Sequence, residues 1–284
     1  MFSFMGHLGI GRTADLAVPL LGKTGIIAER SSTGKRFSLK SPFLCDRIPM
    51  SYGISRIPTS AQADVHERLD GLVRRHLAQP FRKPYAPYNL AAFEETLAAW
   101  DGRSPWILDS GCGVGWSTIL LARRNPDAFV VGADQSQERL SRQKPYPRAS
   151  WPENLRFVRA DVIDFWRLAV ESGVPVRKHW WLYPNPWPKI GHLGRRWYAH
   201  PVWPAVLRLG GRFECRTNWS VYARELTAVL ALSGIQGECT PFVPEEPMTP
   251  FERKYRDSGQ TLWRVTADLS AFARELGAGP AKGA

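Results

Sequence analysis

The chain has 284 residues, 44% of them apolar, and a formal charge of +12, which is ample for a sizeable core and points to a polyanionic partner, usually nucleic acid. Four cysteines (Cys45, Cys112, Cys215 and Cys239) show no CxxC or Cys/His spacing. That argues against a disulfide framework or zinc site and favours a reducing internal compartment, the cytoplasm, while no apolar run approaches the ~20 residues of a membrane span.

Residues 1–55 lack sustained periodicity, carry more Lys and Arg than Asp and Glu, and read as a basic, poorly ordered arm without a signal peptide's basic n-region. Residues 56–104 read as a helical extension. "SAQADVHERLDGLVRRHLAQ" (60–79) has helical apolar spacing behind a Ser N-cap candidate, and "NLAAFEETLAAW" (89–100) is a second helix. From 105 to 272 strand and helix patterns alternate: "WILDSG", "WSTILLARRN", "AFVVGAD", "ERLSRQ", "LRFVRAD", "VIDFWRLAVESG", "HWWLYP", "PVWPAVLRLGG", "RFECRTN", "VYARELTAVLALSG" and a late strand "TLWRVTADL". That alternation predicts βαβ units around a mostly parallel sheet flanked by helices. Residues 273–284 read as a flexible tail.

"LDSGCGVGWS" (108–117) puts Asp109 at a strand end and Gly111, Gly113 and Gly115 before a helix. Glycines there let the backbone turn tightly and approach a ligand. A dinucleotide fingerprint would want Gly or Ala at 116, where Trp116 stands. Asp134 and Asp161 end the next two strands. Three strand-end acids around a GxGxG turn suit S-adenosylmethionine, which has no phosphate and offers ribose, amine and adenine N–H groups. A nicotinamide dehydrogenase is the rival on this stretch alone.

From Arg177 to Phe213 there is no Asp or Glu, but there are seven Lys/Arg, three His and five Trp. Cations interleaved with aromatics suit an RNA backbone and stacked bases. Trp180 and Trp181 lie within a strand and are expected to pack, whereas "YPNPWPK" (183–189) is stiffened by three prolines that fix Trp187. Lys189, Arg195 and Arg196 are candidate phosphate contacts.

"YPNPWPKIGHLGRRW", with "RTNW" (216–219) and "TPFERKY" (249–255), resembles the tRNA (guanine-N7)-methyltransferase family, in order from about residue 105 to 266. The resemblance implies a Rossmann-like class I methyltransferase fold, S-adenosylmethionine as cofactor, tRNA or another RNA as partner, and a monomer or weak oligomer. It implies a cofactor site from Asp109, Asp134, Asp161 and Asn185, with Asn185 also at the catalytic position. It further implies a substrate site from Lys189, Asn218, Thr249, Phe251 and Glu252. Asn185 and Asn218 replace the Asp typical of the family, and "IGHLGRR" is less basic than its usual run. Those departures leave two further readings open: the same fold and cofactor acting on another acceptor, or a non-catalytic RNA-binding paralogue.

Overall fold

A computed structural model describes residues 54–275, apart from 143 and 145; the expected basic arm up to residue 53 and the tail from 276 lie outside the described residues. Two helices come first, α1 (Leu69–Ala78) and α2 (Pro87–Ala98). Then follow β1 (Trp106–Ser110), α3 (Trp116–Arg124), β2 (Phe129–Asp134), α4 (Gln137–Ser141), β3 (Leu155–Arg159), α5 (Val162–Ser172) and β4 (Val176–Leu182). The chain closes with α6 (Trp203–Arg208), β5 (Arg212–Thr217), α7 (Ser220–Leu232), β6 (Gly237–Phe242), α8 (Pro250–Asp257), β7 (Leu262–Asp268) and α9 (Ser270–Glu275).

The strands form one sheet in the order β3-β2-β1-β4-β5-β7-β6. All pairs are parallel except β5 with β7 and β7 with β6. This is the Rossmann-like arrangement expected from the alternating pattern. β1 and β2 are buried at every position, as apolar strands covered on both faces must be. One face carries Trp106, Leu108, Val131, Trp181 and Phe213 against α1, α2, α5, α6 and α7. The other carries Ile107, Val130 and Leu182 against Ile119 and Leu121 of α3. The strand order reverses between β1 and β4, so a crevice opens at their carboxyl ends.

Two local expectations are corrected, and two further elements, β6 and α8, stand where none was expected. The helix expected over 60–79 begins only at Leu69, because Gln62 and the backbone of His66 are committed to Glu225 on α7. Ser60 caps no helix; its hydroxyl accepts from the Gln62 N–H in a local turn. β6 was not anticipated, since it holds Gly237 and Pro241; it is the edge strand, where a missing N–H costs no ladder bond. α8 was also not anticipated, although "TPFE" is a capping signature. The Thr249 hydroxyl accepts from Glu252 N at 3.0 Å, and Glu252 Oε2 reaches back to Met248 N at 2.6 Å.

Candidate functional site

The glycine loop joins β1 to α3 with Gly111, Gly113 and Gly115 all at left-handed φ. A Cβ on Gly115 would lie 2.3 Å from Cε1 of Phe157, so that position must be glycine. At Gly113 nothing stands within 4 Å of where a Cβ would point, so the loop presents open space there. Asp134, at the end of β2, accepts from Gly113 N and Ser136 N at 2.9 and 2.8 Å and braces the loop. Asp161 caps α5 by accepting from Ile163 N, while its own N–H donates to Asn89 of α2.

Asp109 lies deeper. It is 1% exposed, and its Oδ2 accepts from the hydroxyls of Ser117 and Thr118 at 2.6 and 2.7 Å. Its Oδ1 is buried without a hydrogen-bond partner. Burial, only partly offset by the two hydroxyls, pushes its carboxyl up to about 6. On the opposite face of the sheet, against Trp166 and Phe213, His179 is fully buried, and desolvation holds its imidazole down to about 3, so it is neutral. His179 Nε2 accepts from Trp181 Nε1, which assigns the ring proton to Nδ1. Trp181 packs in the core as its strand position predicts.

The Pro-Trp loop leaves the end of β4 beside this crevice. Tyr183 and Trp187, at φ 54° and 45°, are the non-glycine residues with left-handed backbone among those described, and they flank Asn185 symmetrically. Each such residue costs roughly 1–2 kcal/mol, so surrounding bonds must hold the shape. Asn185 is exposed, and its Oδ1 accepts from Trp187 N at 3.2 Å. The Arg195 guanidinium sits 4.9 Å over the Trp187 ring and is exposed, as is Lys189.

Arg196 departs from its expected role as a phosphate contact. It is 2% exposed and ion-paired with the fully buried Glu225. Three further N–H groups donate, one to Gln62 Oε1 and two to the Trp187 carbonyl. Glu225 also accepts from the Tyr198 hydroxyl, Gln62 Nε2 and His66 N. This buried knot ties residues 62–66, the Pro-Trp loop and α7 together. Its sequence signal was a lone acid within the apolar face of "VYARELTAVLALSG".

On the far side of the crevice, Glu252 is likewise buried, away from any solvent-borne substrate. Its Oε1 accepts from the Tyr183 hydroxyl and pairs with Arg216 of β5 at 3.0 Å. Thr249 is 8% exposed and spent on its cap. These two residues of the expected substrate set position α8 rather than present polar atoms. Phe251 is 55% exposed and stacks with Tyr255, and Tyr255 in turn meets Tyr183 at 5.5 Å. The Arg253 guanidinium lies 5.4 Å over Trp116, so α8 spans from the start of α3 to the Pro-Trp loop. Asn218 follows β5 and donates to Gln260, whose amide holds the carbonyls of Ser55 and Arg56. It lines a cavity of about 430 Å³ with Trp219, Arg224 and Trp263.

Asp134, Asp161, Asn185 and Asn218 therefore all follow or end parallel strands on one edge of the sheet, with α8 closing one side. Residues 103–265 match the family model described as "Putative methyltransferase". Over 202 residues the chain is 30% identical to a tRNA (guanine-N(7)-)-methyltransferase of Burkholderia vietnamiensis, covering 66% of this chain and 74% of that protein. A tRNA (guanine-N(7)-)-methyltransferase of Saccharophagus degradans is 29% identical over 209 residues, 69% of this chain and 88% of that protein. The chain belongs to this methyltransferase family.

Proposed function

We propose that this chain, a member of the family that holds the tRNA (guanine-N(7)-)-methyltransferases, transfers a methyl group from S-adenosylmethionine to N7 of guanine in tRNA. The observation that supports the reading is the Pro-Trp loop carrying Asn185, which follows β4 at the β1/β4 switch point, where the glycine loop follows β1. The cofactor fits the residues present. Gly113 leaves open space, Asp109 Oδ1 is a buried acceptor without a partner, Asp134 ends β2, and Asp161 follows β3 as the cap of α5. Carboxylates of this kind suit an ammonium and ribose hydroxyls, and disfavour a pyrophosphate.

When bound, S-adenosylmethionine supplies an electrophilic methyl on a sulfonium and departs as a neutral thioether that keeps the C–S bonding pair. Guanine N7 contributes its lone pair to the new N–C bond and ends as a cation. No proton moves, so no residue here has to act as a base. Asn185 and the loop around it hold the purine in line, which is the main source of rate in such a transfer. Lys189 and Arg195 hold the RNA backbone, Asn218 and Phe251 border the base, and Thr249 and Glu252 fix α8. Residues 105–272 carry the chemistry, residues 56–104 brace it, and the setting is cytoplasmic, as monomer or weak oligomer.

Asn185 and Asn218, neutral where the family typically has carboxylates, favour a second reading in which the acceptor is another base or a small molecule. Incubation with labelled S-adenosylmethionine and total tRNA, followed by nucleoside analysis, decides between them. Label in 7-methylguanosine is expected. Its absence, with cofactor binding intact by calorimetry, would overturn the guanine-N7 assignment.

A further inference from the structure

Methylation at N7 turns a neutral purine into a cation, yet Asn185 and Asn218 offer no negative charge to meet it. Arg195 and Lys189 on the Pro-Trp side and Arg253 on α8 carry the same sign as the product, and the buried acid Glu252 is engaged by Arg216, which it shares with Glu214. Charge stabilisation at the base must come from elsewhere.

α8 supplies it. Phe251 and Tyr255, one turn apart, stack with ring planes 22° from parallel and centroids 6.1 Å apart. Tyr255 continues to Tyr183, two residues before Asn185, at 5.5 Å. The run of rings therefore leads from solvent to the Pro-Trp loop. Among the large hydrophobic side chains exposed in the described residues, Phe251 and Tyr88 are the aromatic ones. An ordinary helix pair would bury its rings against the core, whereas Phe251 keeps more than half its surface open to solvent. An aromatic face is negative at its centre, so it attracts a cation more than a neutral ring of the same shape.

We propose that Phe251 and Tyr255 form a stacking platform for the target base that binds the N7-methylated, cationic purine more tightly than the neutral one. This rests on the guanine-N7 reading above and extends it: stabilisation of the developing charge is assigned to ring quadrupoles in place of the family's carboxylates. A cation–π gain of about 0.5–2 kcal/mol corresponds to a preference of roughly 2- to 30-fold.

The test is calorimetric titration of the full chain, saturated with S-adenosylhomocysteine, with guanosine monophosphate and with its 7-methyl derivative. Mildly acid pH keeps the methylated base fully charged. The wild type is expected to prefer the methylated nucleotide several-fold. Phe251→Leu and Tyr255→Leu should each bring the ratio towards one, while Phe251→Tyr and Tyr255→Phe should keep it. Unchanged melting temperatures show that the Leu variants are folded; Phe251→Leu, at an exposed position, serves if Tyr255→Leu is not. A ratio near one in the wild type, no binding of either nucleotide, or a ratio insensitive to Leu overturns the platform. Failure of the guanine-N7 reading shows separately, as absence of 7-methylguanosine in the wild-type tRNA assay.

Discussion

Arg196 donates two N–H groups to the carbonyl of Trp187, at 3.3 and 3.2 Å, from a position that solvent does not reach. The guanidinium thereby holds a residue whose backbone is left-handed, and Glu225 holds the guanidinium. A buried charge with one partner removed costs about 3–5 kcal/mol. Glu225→Ala is accordingly expected to lower unfolding free energy by about that amount in urea. Arg196→Met combined with Glu225→Leu should recover much of it while leaving methyl transfer impaired, because the Trp187 carbonyl loses its clamp.

Neighbouring Arg195 and Arg196 should behave oppositely towards RNA. Arg195 is exposed, so Arg195→Gln is expected to weaken tRNA binding and flatten the dependence of log K on log salt by ~0.7–0.9, the share of about one phosphate contact. Arg196→Lys should leave that slope unchanged. Filter binding at several salt concentrations measures both.

Asn185→Asp restores the family's usual carboxylate without disturbing the bond to Trp187 N, since either side chain offers an oxygen. With the aromatic platform carrying the charge, kcat/KM for tRNA is expected to rise by less than about tenfold, or ~1.4 kcal/mol. A rise of a hundredfold or more would mean that tRNA guanine is not the natural acceptor.

Asp109 sets a pH dependence. Its carboxyl is raised to about 6 in the folded chain by burial, above its unfolded value near 3.9. A raised carboxyl contributes stability below the unfolded value and loses it as pH climbs through the folded one. The window is therefore roughly pH 4 to 6, and the loss about 3 kcal/mol at most. Asp109→Asn keeps an oxygen for Ser117 and Thr118 and does not titrate. Urea unfolding should show the variant gaining on the wild type by that order between pH 4 and 7, with no further gain above.

The sheet was legible because β1 and β2 open on apolar runs and the strands are separated by helical periods, and period is what sequence states most directly. β6 was not, because Pro241 and Gly237 are strand breakers whose tolerance depends on being at an edge, a property of the assembled sheet. The glycine loop and its acids could be placed because strand ends face ligands in any parallel sheet. Arg196 could not be told from Arg195 by sequence. Adjacent arginines in a basic run look alike until Glu225, 29 residues away, selects one of them for the interior. Tyr255 escaped notice for a similar reason, since its neighbours Phe251 and Tyr183 are joined only when α8 folds against β4.

The knot at Glu225 also sets where this protein may be cut. The stretch matched by the family model begins at residue 103, but two of the groups that satisfy Glu225, Gln62 Nε2 and His66 N, lie about forty residues earlier. Leu69, Val73 and Phe93 belong to the same hydrophobic core as Trp181 and Phe213. A recombinant fragment trimmed to the homologous region would expose that core and strand an unpaired carboxylate inside it. One that starts ahead of residue 62 keeps both intact, so the smallest folding unit is larger than the stretch the family model matches.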